Sequence, residues 1–128
     1  MRVLIIEDDK TDMKLFSAVL EADEHRVVGM GSAEQAVVEI KLHHPEVILL
    51  DLNLPGMNGL ALARLLKRDP ATSHIPIVAT TADGGEFSKE VALAAGCDAF
   101  IVKPVDTRRL SHQITQAAAI SPSVNLTP

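Results

Sequence analysis

Apolar residues along the chain fall into two alternating kinds of segment. Short unbroken runs occupy Val3–Ile6, Val27–Met30, Val47–Leu50, Ile77–Thr80 and Ala99–Val102. They are near strand length, and four of them are rich in Val and Ile, whose branched side chains suit a pleated surface. The runs do not alternate apolar with polar, which predicts strands buried on both faces, as in a parallel sheet. Between them the apolar positions take up helical spacing. Met13, Phe16 and Leu20 share one face of a helix from about Thr11 to Ala22. Ser32-Ala33-Glu34-Gln35 is a capping box, in which the Ser and the Gln each satisfy an orphan backbone donor. It opens a second helix with the stripe Ala33, Ala36, Val37 and Ile40. A third helix is predicted over about Gly59–Leu66, and a fourth over about Gly85–Ala95, stopped at Gly96 in a left-handed cap. A fifth follows Asp106 as N-cap and turns Leu110, Ile114 and Ala117 inward.

Five strands alternating with five helices over short connections predict a doubly wound α/β domain, with a parallel sheet and helices on both faces. There is no internal repeat. The expected folded unit covers residues 1–120, and Ser121–Pro128, with two prolines, is expected to be a flexible tail or the start of a linker.

Composition narrows the reading. At 128 residues and 47% hydrophobic content, the chain suits one domain with a well-packed core. Three Phe, with no Trp and no Tyr, make that core aliphatic and argue against a base-stacking nucleic-acid module. A net charge of -5 opposes attraction to DNA or anionic lipid. A lone Cys97 excludes an internal disulfide and a cysteine metal cluster, and fits a small buried hydrophobe. Nothing resembles a signal peptide, and the apolar runs are far too short to span a membrane. A reducing cytoplasm is the expected location.

In a parallel α/β sheet, ligands bind at the carboxyl ends of the strands. Those ends carry Glu7, Asp8 and Asp9 after the first run, Asp51 and Asn53 after the third, Thr81 after the fourth, and Lys103 and Pro104 after the fifth. The second run contributes nothing ionisable. Several carboxylates on one rim raise one another's pKa unless a cation intervenes. The oxygen set suits Mg²⁺ (or Mn²⁺), with Asp8 and Asp51 as ligands, Glu7 holding a water or Asp8 in place, and the backbone carbonyl of Asn53 adding an oxygen. An aspartate beside a metal and an ammonium is also a usable nucleophile toward a phosphoryl group. Thr81 and Lys103 are then placed to hold phosphoryl oxygens.

Four segments together resemble the receiver domain of response regulators in bacterial two-component signalling. They are Ile5-Ile6-Glu7-Asp8-Asp9, Leu50-Asp51-Leu52-Asn53-Leu54-Pro55-Gly56-Met57-Asn58-Gly59, Thr80-Thr81-Ala82 and Phe100-Ile101-Val102-Lys103-Pro104. Any one alone is weak, but four in order, each at a strand end, are specific, and the likeness extends from residue 3 to about residue 118. The resemblance implies a flavodoxin-like (βα)5 fold with strand order 2-1-3-4-5. It also implies residue roles: Asp51 as phosphoacceptor, Glu7 and Asp8 as the acidic pair with Asp8 the direct metal ligand, and the Asn53 carbonyl completing the metal site. Thr81 and Lys103 grip the phosphoryl group, Phe100 is the switch aromatic, and the bond before Pro104 is cis. The implied partners are a histidine kinase or histidine phosphotransfer protein as donor, and an output protein on the surface of the fourth helix, fifth strand and fifth helix. Two positions depart from the family's habit. Asn58 stands where Asp is frequent, and Phe100 where Tyr is also common.

Plainer readings apply elsewhere. Asp9 reads as a solvated first-turn charge of the first helix. Phe100 alone would be a core residue, and its place three residues before Lys103 favours the switch. All five His residues lack companions at ligand spacing and are expected at the surface. Gly84-Gly85 has no following Lys-Ser/Thr and is no phosphate loop. Two other functions share parts of the pattern. A phosphatase of the haloacid-dehalogenase type also uses a strand-end Asp with Thr, Lys and Mg²⁺, but needs a second Asp where Asn53 stands. A flavodoxin-like flavin binder needs a phosphate cradle after the first strand, where Glu7-Asp8-Asp9 would repel phosphate.

Overall fold

The computed structural model describes residues 1–82 and 89–119. Five strands, β1 (Arg2–Ile6), β2 (Arg26–Met30), β3 (Val47–Asp51), β4 (Ile77–Thr81) and β5 (Ala99–Val102), alternate with five helices. These are α1 (Lys10–Ala22), α2 (Ala33–His43), α3 (Gly59–Arg68), α4 (Lys89–Ala94) and α5 (Thr107–Ala119). The strands form one sheet in the order β2-β1-β3-β4-β5, every pair parallel. This is the doubly wound fold and strand order expected from the sequence.

The period-two geometry of a strand explains the unbroken runs. In β1, Val3 and Ile5 face one side of the sheet, and Leu4 and Ile6 the other. The first side carries α1 and α5 through Phe16, Leu20, Leu110 and Ile114. The second carries α2, α3 and α4 through Ala36, Ile40, Leu62, Leu66 and Ala92. The central strand β3 is buried along its whole length, and each fully buried Ile or Leu there contributes about 1.5–3 kcal/mol. Edge strand β2 is only half-buried at Val27 and Val28, so burial on both faces fails at that edge.

Caps set the helix ends. Ser32 Oγ accepts the Gln35 N–H at 3.2 Å, Asn58 Oδ1 accepts the Ala61 N–H at 2.8 Å, and Asp106 Oδ1 accepts the Arg108 N–H at 3.0 Å. Asp9 is the N-cap of α1, its Oδ1 accepting the Asp12 N–H at 3.0 Å; the helix accordingly starts at Lys10 and not Thr11. Helix α3 runs two residues past Leu66, because Lys67 and Arg68 complete its last turn. Gly96 has φ +104°, the left-handed stop expected there. The expected start of the fourth helix at Gly85, the Gly84-Gly85 pair and the tail from Ser121 lie outside the described residues.

Three arrangements escaped the sequence. His25 is not a surface residue. Its side chain is 10% exposed, with Nδ1 3.2 Å from the Met1 amine and Nε2 3.1 Å from Ser111 Oγ, in the seam where α5 crosses the start of the sheet. Lys67 is a staple, donating to Ile75 O at 2.9 Å and Asp98 Oδ2 at 3.1 Å, while the same Asp98 oxygen accepts the Ile77 N–H at 2.8 Å. It anchors the start of β4 and hence the strand that ends in Thr81.

The third concerns Gly59, the first residue of α3. A Cβ there would stand 2.6 Å from the Asp51 carbonyl oxygen and 2.7 Å from Leu52 Cα. Both neighbours are backbone, so one of the two segments must move. Gly59→Ala is expected to cost about 1–3 kcal/mol and to displace Asp51. Urea unfolding checks this; an unchanged midpoint would show that the helix start can shift freely.

Candidate functional site

Parallel pairing brings the carboxyl ends of β1, β3, β4 and β5 to one rim. Ile6 pairs with Leu50, so Glu7 and Asp51, the next residues, leave the sheet side by side. Asp51 and Thr81 are the last residues of their strands, and Lys103 directly follows β5. Every residue singled out for chemistry lies on this rim.

Asp51 is 4% exposed in its side chain. Its Oδ1 accepts the Asn53 N–H at 2.8 Å, and its Oδ2 lies 3.4 Å from the Lys103 ammonium. Lys103 donates more closely to Glu7 Oε1 at 2.8 Å and to Asp12 Oδ2 at 3.1 Å. Glu7 is buried, and its Oε2 accepts the Asp9 N–H at 3.1 Å. Asp8 is exposed, yet carboxylate oxygens of Glu7, Asp8 and Asp51 come within 4.8 Å of one another. The Lys103–Pro104 peptide bond is cis.

The charges do not balance. Glu7, Asp12 and Asp51 meet one ammonium, and Asp8 stands alongside. Burial, joined by the neighbouring Asp51 carboxyl, pushes Glu7 up from 4.5 to about 7, against the pull of Lys103. Burial works against the charged form of Lys103 too. Its hydrogen bonds to Glu7 and Asp12, with the charges of Glu7 and Asp51, outweigh that, and its pKa is raised above the usual lysine range. Lys103 therefore stays an ammonium, while burial and the Asp51 carboxyl bring the titration of Glu7 up to near neutrality. An all-oxygen donor set with surplus negative charge fits a hard divalent cation.

Two contributors were not read from the sequence. Asp12 lies at no strand end; it reaches Lys103 because the first turn of α1, capped by Asp9, crosses the rim. Asn53 was expected to act through its backbone carbonyl. Its side chain is also engaged, with Oδ1 accepting the Thr81 hydroxyl at 3.0 Å and the Ala82 N–H at 3.1 Å. Phe100 is half-buried and packs on the core layer beneath α2, α3 and α4. It pairs with Ala79, two residues before Thr81 on the adjacent strand, so Phe100 and Thr81 share a face of the sheet. A cavity of about 540 Å³, lined by Arg2, Lys41, His44 and Pro76 among others, lies at the opposite end of the strands. It is remote from these groups, and two of its cations are already paired, Arg2 with Glu46 and Lys41 with Asp69.

The raised Glu7 gives a signed pH dependence. A carboxyl with a raised folded-state pKa favours the fold below its ordinary value of 4.5, and that contribution is lost as pH rises through about 7. A cation bound at the rim competes with the same proton. Mg²⁺ affinity is therefore expected to rise with pH between about 6 and 8, with proton release near neutrality, and Glu7→Gln should flatten the dependence. Calorimetry in two buffers of different ionisation enthalpy reads the protons directly. Binding without proton release at pH near 6.5 would contradict the protonated Glu7.

A strand-end carboxylate ringed by acids, one ammonium and one hydroxyl, on a 2-1-3-4-5 parallel sheet, is the arrangement of a signalling receiver. The sequence profile of the response regulator receiver domain matches residues 3–115, and the chain belongs to that family. Among its relatives, the polar-differentiation response regulator DivK of Brucella ovis is 36% identical over 112 residues, covering 88% of this chain and 91% of that protein. The CheY-like response regulator receiver domain protein of Methanospirillum hungatei JF-1 superimposes with TM-score 0.84 at 26% identity, covering 96% of this chain and 97% of that one. The receiver domain of a sensor histidine kinase from Pseudomonas aeruginosa PAO1, solved with magnesium coordinated in its active site cleft, has the same fold. Its TM-score is 0.83 at 24% identity, over 92% of this chain and 97% of that one. No described helix is long and apolar enough to cross a membrane.

Proposed function

We propose that this receiver is a cytoplasmic switch that takes a phosphoryl group onto Asp51 from the phosphohistidine of a histidine kinase or histidine phosphotransfer protein. The observation that carries the reading is the setting of Asp51: a buried carboxylate at the end of the central strand, one oxygen fixed by the Asn53 N–H and the other turned to Lys103. A Asp51 oxygen forms the bond to phosphorus, the P–N bond breaks, and its electron pair stays on the imidazole nitrogen, which takes up a proton. Lys103 and the Thr81 hydroxyl donate to the phosphoryl oxygens, and they stabilise negative charge where the transferring group carries it. Glu7, Asp8, Asp51 and the backbone carbonyl of Asn53 are the residues that would hold Mg²⁺ or Mn²⁺. The bound cation supplies positive charge that cancels the surplus of the rim and screens the incoming phosphate.

The readout is a population shift. A phosphoryl group on Asp51 draws Thr81 toward it, and Phe100, on the same face, turns into the space released. This changes the surface of α4, β5 and α5 that an output protein reads. The chain acts as an acceptor and not as a turnover enzyme; Asn53, an amide, offers no titratable proton for the acid–base role a phosphatase of the haloacid-dehalogenase type requires. Phosphoramidate, a P–N donor, is expected to label the chain to one phosphoryl group per molecule in the presence of Mg²⁺. Multiple turnover of p-nitrophenyl phosphate with no stable label would overturn the switch in favour of the phosphatase.

A further inference from the structure

We propose that the Asn53 side chain is a latch that holds the phosphate-gripping donors in the unphosphorylated state and must release them for the switch to turn. The inference rests on Asp51 as the phosphoryl acceptor. Thr81 is 2% exposed, and a buried hydroxyl needs a partner. Its partner is Asn53 Oδ1, at 3.0 Å, and the same oxygen accepts the Ala82 N–H at 3.1 Å. The Ala82 backbone N–H can only donate, so the amide oxygen, and not its NH₂, faces this pair. Two adjacent donors at the end of β4 are thus tied to one neutral acceptor two residues from Asp51. The backbone of Asn53 is itself bonded to Asp51 Oδ1, so the latch and the acceptor carboxylate share one short segment.

A phosphoryl group on Asp51 presents charged oxygens to the same donors. Charge-assisted hydrogen bonds are roughly twice as strong as neutral ones, so the phosphoryl group wins the competition, and the Asn53 amide is freed to solvent. The latch therefore stabilises only the unphosphorylated state. Removing it leaves the Thr81 hydroxyl unpaired before phosphorylation and leaves the phosphorylated state untouched, which moves the population toward the active packing. Asn53 in this account is a positioning residue acting through Thr81 and Ala82, separate from the contribution of its backbone.

Affinity for beryllofluoride with saturating Mg²⁺, which mimics the phosphoryl group, tests the latch in wild type, Asn53→Ala, Thr81→Val and the double variant. Asn53→Ala is expected to bind roughly tenfold more tightly than wild type, and most of that gain should vanish in the Thr81→Val background, because the effect passes through the hydroxyl. A second measurement needs no variant. A through-hydrogen-bond NMR coupling between the Ala82 amide nitrogen and the Asn53 side-chain carbonyl carbon should be present in the free protein and lost on adding beryllofluoride and Mg²⁺. Equal affinity of wild type and Asn53→Ala, an equal gain in both Thr81 backgrounds, or a coupling that persists in the loaded protein would each overturn the latch. Failure of wild type to bind beryllofluoride at all would instead overturn Asp51 as the acceptor.

Discussion

Asp51→Asn should take up no phosphoryl group from acetyl phosphate or phosphoramidate, and should not bind beryllofluoride, while remaining folded. The loss is expected to be complete because it is chemical. An amide oxygen is too weak a nucleophile to displace acetate or ammonia from phosphorus, and the substitution removes a charge on which the cation site depends. Stability should not suffer. Asp51 sits among Glu7, Asp12 and a single ammonium, and replacing one of these crowded carboxylates relieves like-charge repulsion. Asn Oδ1 can still accept the Asn53 N–H that now goes to Asp51 Oδ1. Thermal melts should therefore show the variant at least as stable as wild type in the absence of Mg²⁺. Persistent stoichiometric labelling of the variant would assign the acceptor role to another carboxylate.

Asp8→Ala is expected to lower Mg²⁺ affinity by tenfold or more, whereas Asp9→Ala should leave it within about twofold. The two residues are adjacent, both acidic and both exposed, so net charge alone predicts equal effects. Geometry separates them. An Asp8 oxygen lies within 4.8 Å of those of Glu7 and Asp51, while the Asp9 carboxylate is spent on the Asp12 N–H as the cap of α1. Asp9→Ala should instead cost the cap, about 1 kcal/mol of stability, and loosen the turn that carries Asp12 to Lys103. Titration of each variant with Mg²⁺, alongside urea unfolding, separates the two outcomes. Equal losses of affinity would mean that the rim acts as a diffuse acidic patch and not as a built site.

The central strand was legible because β3 is buried on both faces, which leaves an unbroken Val47–Leu50 run before the charge at Asp51. The rim followed from one rule, that parallel strands deliver the residues after them to a common edge. Edges and long-range pairings were less legible. Residues of β2 read like those of β3, yet β2 has a neighbour on one side only, so Val27 and Val28 stay half-exposed. Asp12 carries no local sign of its role, because its contact with Lys103 spans 91 positions and depends on how α1 crosses the sheet. The same holds for His25, whose partner Ser111 is 86 positions away. The side chain of Asn53 was missed for a different reason. Its backbone already had a role in the reading, and nothing in the order of residues shows which way an amide at a strand end will turn.

The claim on which the rest depends is that Asp51 alone becomes an acyl phosphate. Reductive trapping reads this directly. Borohydride reduces an aspartyl phosphate to homoserine, with loss of phosphate, and leaves free carboxylates untouched. Protein treated with acetyl phosphate and Mg²⁺, reduced, digested and sequenced by mass spectrometry should carry homoserine at position 51 and at no other acidic residue. Homoserine at Asp8 or Asp12, the corresponding five-carbon alcohol (5-hydroxynorvaline) at Glu7, or no reduced side chain anywhere in protein that binds Mg²⁺, would contradict the account.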